Sequence, residues 1–195
     1  MAKLYFSYAA MNAGKSTILL QAAHNYRERG MDVLMLTSAL YREDSDGHIS
    51  SRIGISSEAT LYSDTVDLFA LVQDVMAKGR LDAIFVDEAQ FLTKQQVWQL
   101  ARVTDYLHVP VLAYGLRTDF QGELFEGSSA LLAIADNLRE IRTICECGSK
   151  ATMVVRLGPD GKALTEGDQV SIEKTTYLSL CRRHWEERMG RFPVG

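Results

Sequence analysis

The chain reads as an α/β protein, a parallel sheet with flanking helices followed by a smaller unit of different character. Three observations carry that reading. Short apolar runs alternate with helix-period segments over the first two-thirds of the 195 residues, and strand–helix alternation builds parallel sheets covered on both faces. The first of these runs leads directly into Ala9–Thr17, A-A-M-N-A-G-K-S-T, which is the pattern of a phosphate-binding loop where a strand turns into a helix. Beyond about residue 142 the alternation stops. Two close pairs of metal-ligand residues appear there, Cys145-Glu146-Cys147 and Cys181-Arg182-Arg183-His184.

Each element has a local reason. Leu4–Tyr8 is an apolar run and is expected as the first strand. Lys15–Arg29 is expected as a helix, with Gly30 as its stop. Val33–Thr37 reads as a second strand, whereas residues 38–60 are polar, Ser-rich and without a clear period, a long loop of the kind that is usually functional or mobile. Asp67–Lys78 has a helical pattern, and the unbroken apolar run of Ala83–Asp87 predicts a strand buried on both faces. Thr93–Leu107 is expected as a helix with Thr93 as N-cap. Pro110–Tyr114 follows as a strand and Ser128–Leu138 as a helix. After residue 142, short runs such as Thr152–Leu157 are broken by the turn signal Gly158-Pro159-Asp160-Gly161. The expected division is therefore 1–142 and 143–195, the second part mostly β and irregular.

The loop after the first strand carries the first chemistry. Ala9, Ala10, Met11, Asn12, Ala13 and Gly14 would turn backbone N–H groups towards nucleotide phosphates, aided by the positive end of the helix dipole. Lys15 is placed to neutralise the β/γ-phosphates and Ser16 to ligate Mg²⁺. Ala9 stands where the full motif has its first glycine. Glycine normally supplies a backbone angle there that costs other residues energy, so a slightly different or mildly strained turn is expected.

Ile84-Phe85-Val86-Asp87-Glu88 is an apolar strand ending in two carboxylates. Asp87 would hold the Mg²⁺ shell beside Ser16, because ligands of such sheets gather at the carboxyl ends of the strands. Glu88 points elsewhere and is the candidate base on the attacking nucleophile, either water or an acceptor hydroxyl. Gly115–Gly122 follows a strand at the same end of the sheet. Phe120 within it could pack against a flat base or cover the core edge.

Cys145, Cys147, Cys181 and His184 make three thiolates and an imidazole, the ligand count of a closed tetrahedral zinc site. All three cysteines of the chain fall in this pattern. A closed site leaves no open position, so the expected Zn²⁺ is structural and staples residues 148–180 at their ends.

Composition sets the outer bounds. Hydrophobic residues make up 47% of the chain and the net charge is −4, which supports an ordinary core and argues against a nucleic-acid binder. Met1-Ala2-Lys3 leads straight into a strand without the sections of a signal peptide, and no apolar stretch has membrane-span length. A cytoplasmic protein is the expectation.

In this order and spacing, A-M-N-A-G-K-S-T, V-D-E-A-Q-F, Y-G-L-R-T-D-F-x-G, C-x-C-G and Y-x-S-x-C-R-x-H resemble the type II thymidine kinases, from about Lys3 to Trp185. The resemblance implies a P-loop parallel sheet with flanking helices plus a small zinc-clipped lasso domain. It implies transfer of the ATP γ-phosphate to the 5′-hydroxyl of thymidine or deoxyuridine with Mg²⁺, in deoxynucleotide salvage for DNA synthesis. It further implies a homotetramer and feedback inhibition by dTTP. Carried over by position, Ala9–Ser16 match the nucleotide loop, Asp87, Glu88, Ala89 and Gln90 the second nucleotide motif, and Glu88 the catalytic base. The zinc ligands are Cys145, Cys147, Cys181 and His184. Phe120 and Tyr177 match aromatics beside the base pocket, and Val170, Ser171 and Ile172 the lasso backbone that grips thymine.

This chain departs from the family in two places. Glu173-Lys174 stand where many relatives have two glycines, in a slightly shorter segment, so a different closure of the lasso is expected. Leu40-Tyr41-Arg42-Glu43 replaces an acidic-Arg segment, which leaves Arg42 or Arg52 either as a stabiliser of the transferring phosphoryl group or as a solvated loop arginine. The competing readings are a P-loop ATPase with a structural zinc module, a GTP-dependent switch, and a zinc-ribbon nucleic-acid module. The chain shows no N-K-x-D guanine reader and only a thin basic segment around Arg182-Arg183.

Overall fold

The computed structural model describes residues 1–41, 47–170 and 176–192. In order, the elements are β1 (Leu4–Ala9), α1 (Lys15–Glu28), β2 (Val33–Ser38), a 3₁₀ turn at Ala39–Tyr41, β3 (His48–Ser50), β4 (Ser56–Glu58), β5 (Thr60–Tyr62), α2 (Leu68–Lys78) and β6 (Ala83–Val86). After a second 3₁₀ turn at Ala89–Phe91 come α3 (Lys94–Tyr106), β7 (Val111–Leu116), α4 (Glu126–Ile134), β8 (Asn137–Glu140), β9 (Thr143–Ile144), β10 (Lys150–Ala151), β11 (Met153–Leu157), β12 (Thr176–Leu180) and α5 (Arg182–Arg188). Among the described residues no helix is long and apolar enough to cross a membrane.

Six strands form one parallel sheet in the order β5-β2-β6-β7-β1-β8. Side chains alternate across it as strand geometry requires. Phe6, Leu34, Leu36, Ile84, Val86 and Val111 pack on one face with Leu68, Val72, Val97, Leu100 and Leu131 of α2, α3 and α4. Met35, Phe85 and Tyr114 face the other side, against Leu19, Leu20 and Ala23 of α1 and Ile49 of the β3–β4 hairpin. The parallel sheet with helices on both faces is the fold expected from the alternation. Thr93 caps α3 through a reciprocal pair: its Oγ1 accepts from Gln96 N, and Gln96 Oε1 accepts from Thr93 N, both at 3.1 Å.

Two expectations are corrected. The helix expected over Ser128–Leu138 ends at Ile134, and Ala135 is already extended. Asp136 Oδ2 accepts a hydrogen bond from Leu4 N at 2.7 Å, which steers the chain onto the free edge of β1 as β8. An edge strand exposed along its length carries no apolar run, so Asn-Leu-Arg-Glu gave no strand signal. The stretch 38–60 is not one structureless loop either. Its described residues hold the β3–β4 hairpin and β5, which pairs with β2.

Beyond β8 the chain builds a separate small core from Cys145, Ala151, Val155, Leu180, Trp185 and Met189. β11 and β12 form its antiparallel pair. Trp185 Nε1 donates to Phe120 O (3.1 Å) and Val154 O (3.0 Å), so the indole ties this core to the loop after β7.

Candidate active site

The phosphate loop turns between β1 and α1 at the carboxyl end of the sheet. Ala9 lies inside β1, in register with Leu116, and is not among the residues with positive φ. Of the two expectations for Ala9, a different turn or a strained one, the strain is absent there. The left-handed angles fall on Asn12 (φ 61°) and Gly14 (φ 79°), residue types that bear them at least cost. The loop floors a cavity of about 370 Å³ bounded by Met11–Thr17, by Ser50–Ile53 of the β3–β4 turn, and by Glu88 and Leu116. Lys15 is buried at its base, with Nζ 3.4 Å from Ala10 O. Burial lowers its pKa, the Glu88 and Asp87 carboxylates pull the other way, and nearby Arg52 lowers it further. Arg52 thus faces the cavity, while Arg42 lies outside the described residues.

Asp87 follows β6, its N–H held by Leu36 O at 2.8 Å. It is 4% exposed, and Oδ2 accepts from Ser16 Oγ at 2.9 Å. Its Oδ1 is buried without a hydrogen-bond partner. Burial first, and then the neighbouring Glu88, raise the carboxyl from 3.8 to about 7, against the Ser16 hydroxyl and Lys15. An orphaned buried carboxylate oxygen beside a serine hydroxyl fits a hard cation that takes oxygen ligands. These two residues would hold Mg²⁺.

Glu88 adopts the left-handed conformation (φ 52°, ψ 38°), a strained state for a non-glycine residue that recurs at functional sites. Glu88 lines the cavity, and its Oε2 accepts from Gln90 Nε2 at 2.5 Å. Its carbonyl accepts from Tyr62 Oη at 3.0 Å. Gln90 in turn accepts from Leu116 N through Oε1 at 2.9 Å, joining the ends of β6 and β7. The approach is close enough that a Cβ on Gly115 would sit 2.9 Å from both Gln90 N and Oε1.

A second cavity of about 30 Å³ adjoins the first and shares Met11 and Leu116 with it. Phe91, Asp119, Phe120, Val154, Gln169 and Tyr177 are among the other residues of its wall. Phe120 is buried and still contributes to that wall, with the Arg156 guanidinium 3.9 Å above its ring. Val170 is half-buried just beyond Gln169, while Ser171 and Ile172 lie outside the described residues. Ser179 on β12 donates to Met11 O at 2.5 Å, so the strand carrying Tyr177 is pinned to the phosphate loop.

The four expected zinc ligands converge. The ligand atoms of Cys145, Cys147, Cys181 and His184 all lie within 4.8 Å of one another. Cys145 Sγ is 3.2 Å from His184 Nδ1, and Cys147 Sγ is 3.9 Å from Cys181 Sγ. Tetrahedral zinc with ordinary bond lengths puts such atoms about 3.5–3.8 Å apart, so the donor set fits Zn²⁺. Burial opposes ionisation of Cys145, but backbone hydrogen bonds from Cys147 and Cys181, with His184, hold its thiol down at about 6. The thiolate is the form a metal binds.

Sequence reasoning missed Ser50, Ser51 and Ile53 in the first cavity and Phe125, Val154 and Gln169 in the second, and it placed Asp119 in the Gly115–Gly122 loop at this end of the sheet without singling it out. Asp119 carried one usable signal, a carboxylate directly before the Gly-flanked Phe120.

The fold and site define a P-loop nucleotide-binding protein with a second pocket against the nucleotide cavity. The thymidine kinase family model matches residues 2–185. Thymidine kinase from Mesorhizobium japonicum is 63% identical over 191 residues, covering 98% of this chain and 94% of that protein. The thymidine kinase of Ruegeria pomeroyi is 60% identical over 191 residues (97% and 96% covered), and that of Rhizobium meliloti 60% over 192 (97% and 98%). The chain belongs to the thymidine kinase family.

Proposed function

We propose that this chain is an ATP-dependent nucleoside kinase that transfers the γ-phosphate to the 5′-hydroxyl of thymidine or deoxyuridine, in deoxynucleotide salvage. The observation that carries the reading is the pair of cavities meeting across Met11 and Leu116, with Glu88 on the wall of the first. Phosphoryl transfer asks chiefly for positioning and charge stabilisation. Ala9–Gly14 cradle the phosphates with main-chain N–H groups, and Lys15 holds their β/γ charge. Ser16 and Asp87 would hold Mg²⁺, which would neutralise developing charge. Ala89 and Gln90 complete the nucleotide side, Gln90 by fixing the turn that presents Glu88. Glu88 takes the proton of the acceptor hydroxyl as it attacks. Arg52 faces the transferring group from the β3–β4 turn.

Phe120, Tyr177 and the main chain of Val170, Ser171 and Ile172 hold the base. Thymine presents one donor and two acceptors on its edge, and extended backbone offers their complements. Residues 1–142 form the kinase domain and 143–195 a lasso domain stapled by Zn²⁺ on Cys145, Cys147, Cys181 and His184; the separate core around Trp185 supports that division. A cytoplasmic homotetramer inhibited by dTTP belongs to the same proposal, on family membership alone. The competing reading is an ATPase of the same fold, in which water takes the place of the nucleoside as acceptor. Chromatography of MgATP incubations separates the two: thymidine monophosphate formed from thymidine, with none of the matching product from cytidine, supports the kinase. ATP consumed without nucleotide product supports the ATPase.

A further inference from the structure

The antiparallel pair β11–β12 has two unlike faces, because side chains alternate along a strand. Val155, Leu178 and Leu180 pack in the small core with Trp185. Val154, Tyr177 and Ser179 lie on the other face. Val154 stands opposite Ser179 in the register, and Val154 and Tyr177 both line the second cavity. From this face Ser179 Oγ reaches the phosphate loop, donating at 2.5 Å to Met11 O, 168 residues earlier in the chain. Among the described residues no other hydrogen bond joins β11 or β12 to that loop. The loop after β7, by contrast, is tied to the small unit more than once, through Trp185 Nε1 on Phe120 O and Arg117 Nη2 on Thr152 O (both 3.1 Å).

What the Ser179 bond fixes is a peptide. The Met11–Asn12 unit is trans, and a planar trans unit points its C=O and N–H in opposite directions. A Met11 carbonyl held by Ser179 therefore turns the Asn12 N–H away from β12. Asn12 lines the first cavity and carries the positive φ of 61° that bends the loop there. Met11 lines both cavities. We propose that Ser179 is a positioning residue for phosphoryl transfer. Its hydroxyl sets the Met11–Asn12 peptide that serves the phosphates, and it does so from the strand whose Tyr177 faces the acceptor. One strand thus holds the phosphate cradle and the acceptor pocket at a fixed separation. Positioning of this kind is where phosphoryl transfer takes much of its rate. The inference rests on the reading that the first cavity takes ATP and the second the nucleoside.

Ser179→Ala removes the donor and keeps the strand. Ser179→Thr keeps the hydroxyl on a residue type that strands favour. A phosphate loop loosened against the acceptor predicts kcat about tenfold lower in Ser179→Ala, with thymidine KM and ATP KM each within about twofold of the parent. Ser179→Thr should return kcat to within about threefold. The amide resonance of Asn12 in the nucleotide-free protein is a readout apart from activity. It belongs to the bonded peptide, so it should shift in Ser179→Ala and move back towards the parent position in Ser179→Thr. Zinc content of both variants should equal that of the parent. The proposal is overturned if kcat is unmoved, if either KM rises along with the fall in kcat, if zinc is lost, or if threonine restores neither kcat nor the Asn12 resonance. Should the parent protein phosphorylate no nucleoside, the functional reading fails by itself. The Asn12 resonance then judges the tie: no shift in Ser179→Ala overturns it.

Discussion

Gly127→Ala probes how the turn carrying Glu88 is held. Gly127 lies in the first turn of α4, and a Cβ there would sit 2.5 Å from Ala89 O, 2.7 Å from Leu92 O and 2.9 Å from Gln90 O. All three are main-chain atoms and none can rotate away. Restoring ordinary contact requires the helix and the turn to part by about 0.9 Å at the tightest point, an overpacking that costs about 1–3 kcal/mol. The better helix propensity of alanine returns up to about 1 kcal/mol. A net loss of about 1–2 kcal/mol lowers Tm by about 2–8 °C in a chain of this size. The same shift pulls Gln90 from Leu116 N and swings the carboxylate of Glu88 with it. Misplacement of about 1 Å costs up to about 100-fold, so kcat should fall about 10- to 100-fold. Gly79→Ala, with nothing within 4 Å of its added Cβ, is the control in the same calorimetric and kinetic assays. A Gly127→Ala protein that melts with the parent and turns over at full rate refutes the packing argument.

Three further outcomes follow. Glu88→Gln keeps an acceptor for Gln90 but cannot take a proton, so kcat falls about 100-fold while a non-hydrolysable ATP analogue binds as before; undiminished kcat would remove Glu88 as the base. Burial holds the Asp87 carboxyl near 7 in the folded protein against 3.8 ordinarily, so the folded state binds the extra proton. Its contribution to stability is then present below about 4 and is lost as pH rises to about 7, in metal-free protein. Asp87→Asn should flatten that decline in thermal melts, and an unchanged pH profile would contradict the assignment. Cys181→Ser should lower zinc content by elemental analysis and expose residues 143–192 to protease before the sheet; a variant that retains full zinc and resistance would contradict the staple.

The sheet was legible because buried parallel strands carry unbroken apolar runs, as Ala83–Val86 does, and because the phosphate loop marks one strand–helix junction directly. β8 was not, since an exposed edge strand is selected by a vacant neighbour and by the Asp136–Leu4 bond, neither of which leaves a period in the sequence. On the wall of the first cavity, Met11–Ser16 and Glu88 were legible in the sequence, because main-chain phosphate binding needs contiguous residues. On the wall of the second cavity, Phe120 and Tyr177 were the residues singled out in the sequence. Asp119, Val154 and Gln169 meet there through the packing of Trp185 and Arg156, which join segments far apart in the chain. At Ala9 the sequence left open a different turn or a strained one, and the strand continues through it without a positive φ.

The central claim is transfer to a pyrimidine deoxynucleoside. ADP release from MgATP by the purified protein, measured alone and with each nucleoside in turn, tests it most directly. The account predicts release stimulated by thymidine and deoxyuridine and not by cytidine or purine nucleosides. Release that is equal in every tube, or absent from all of them, would contradict it.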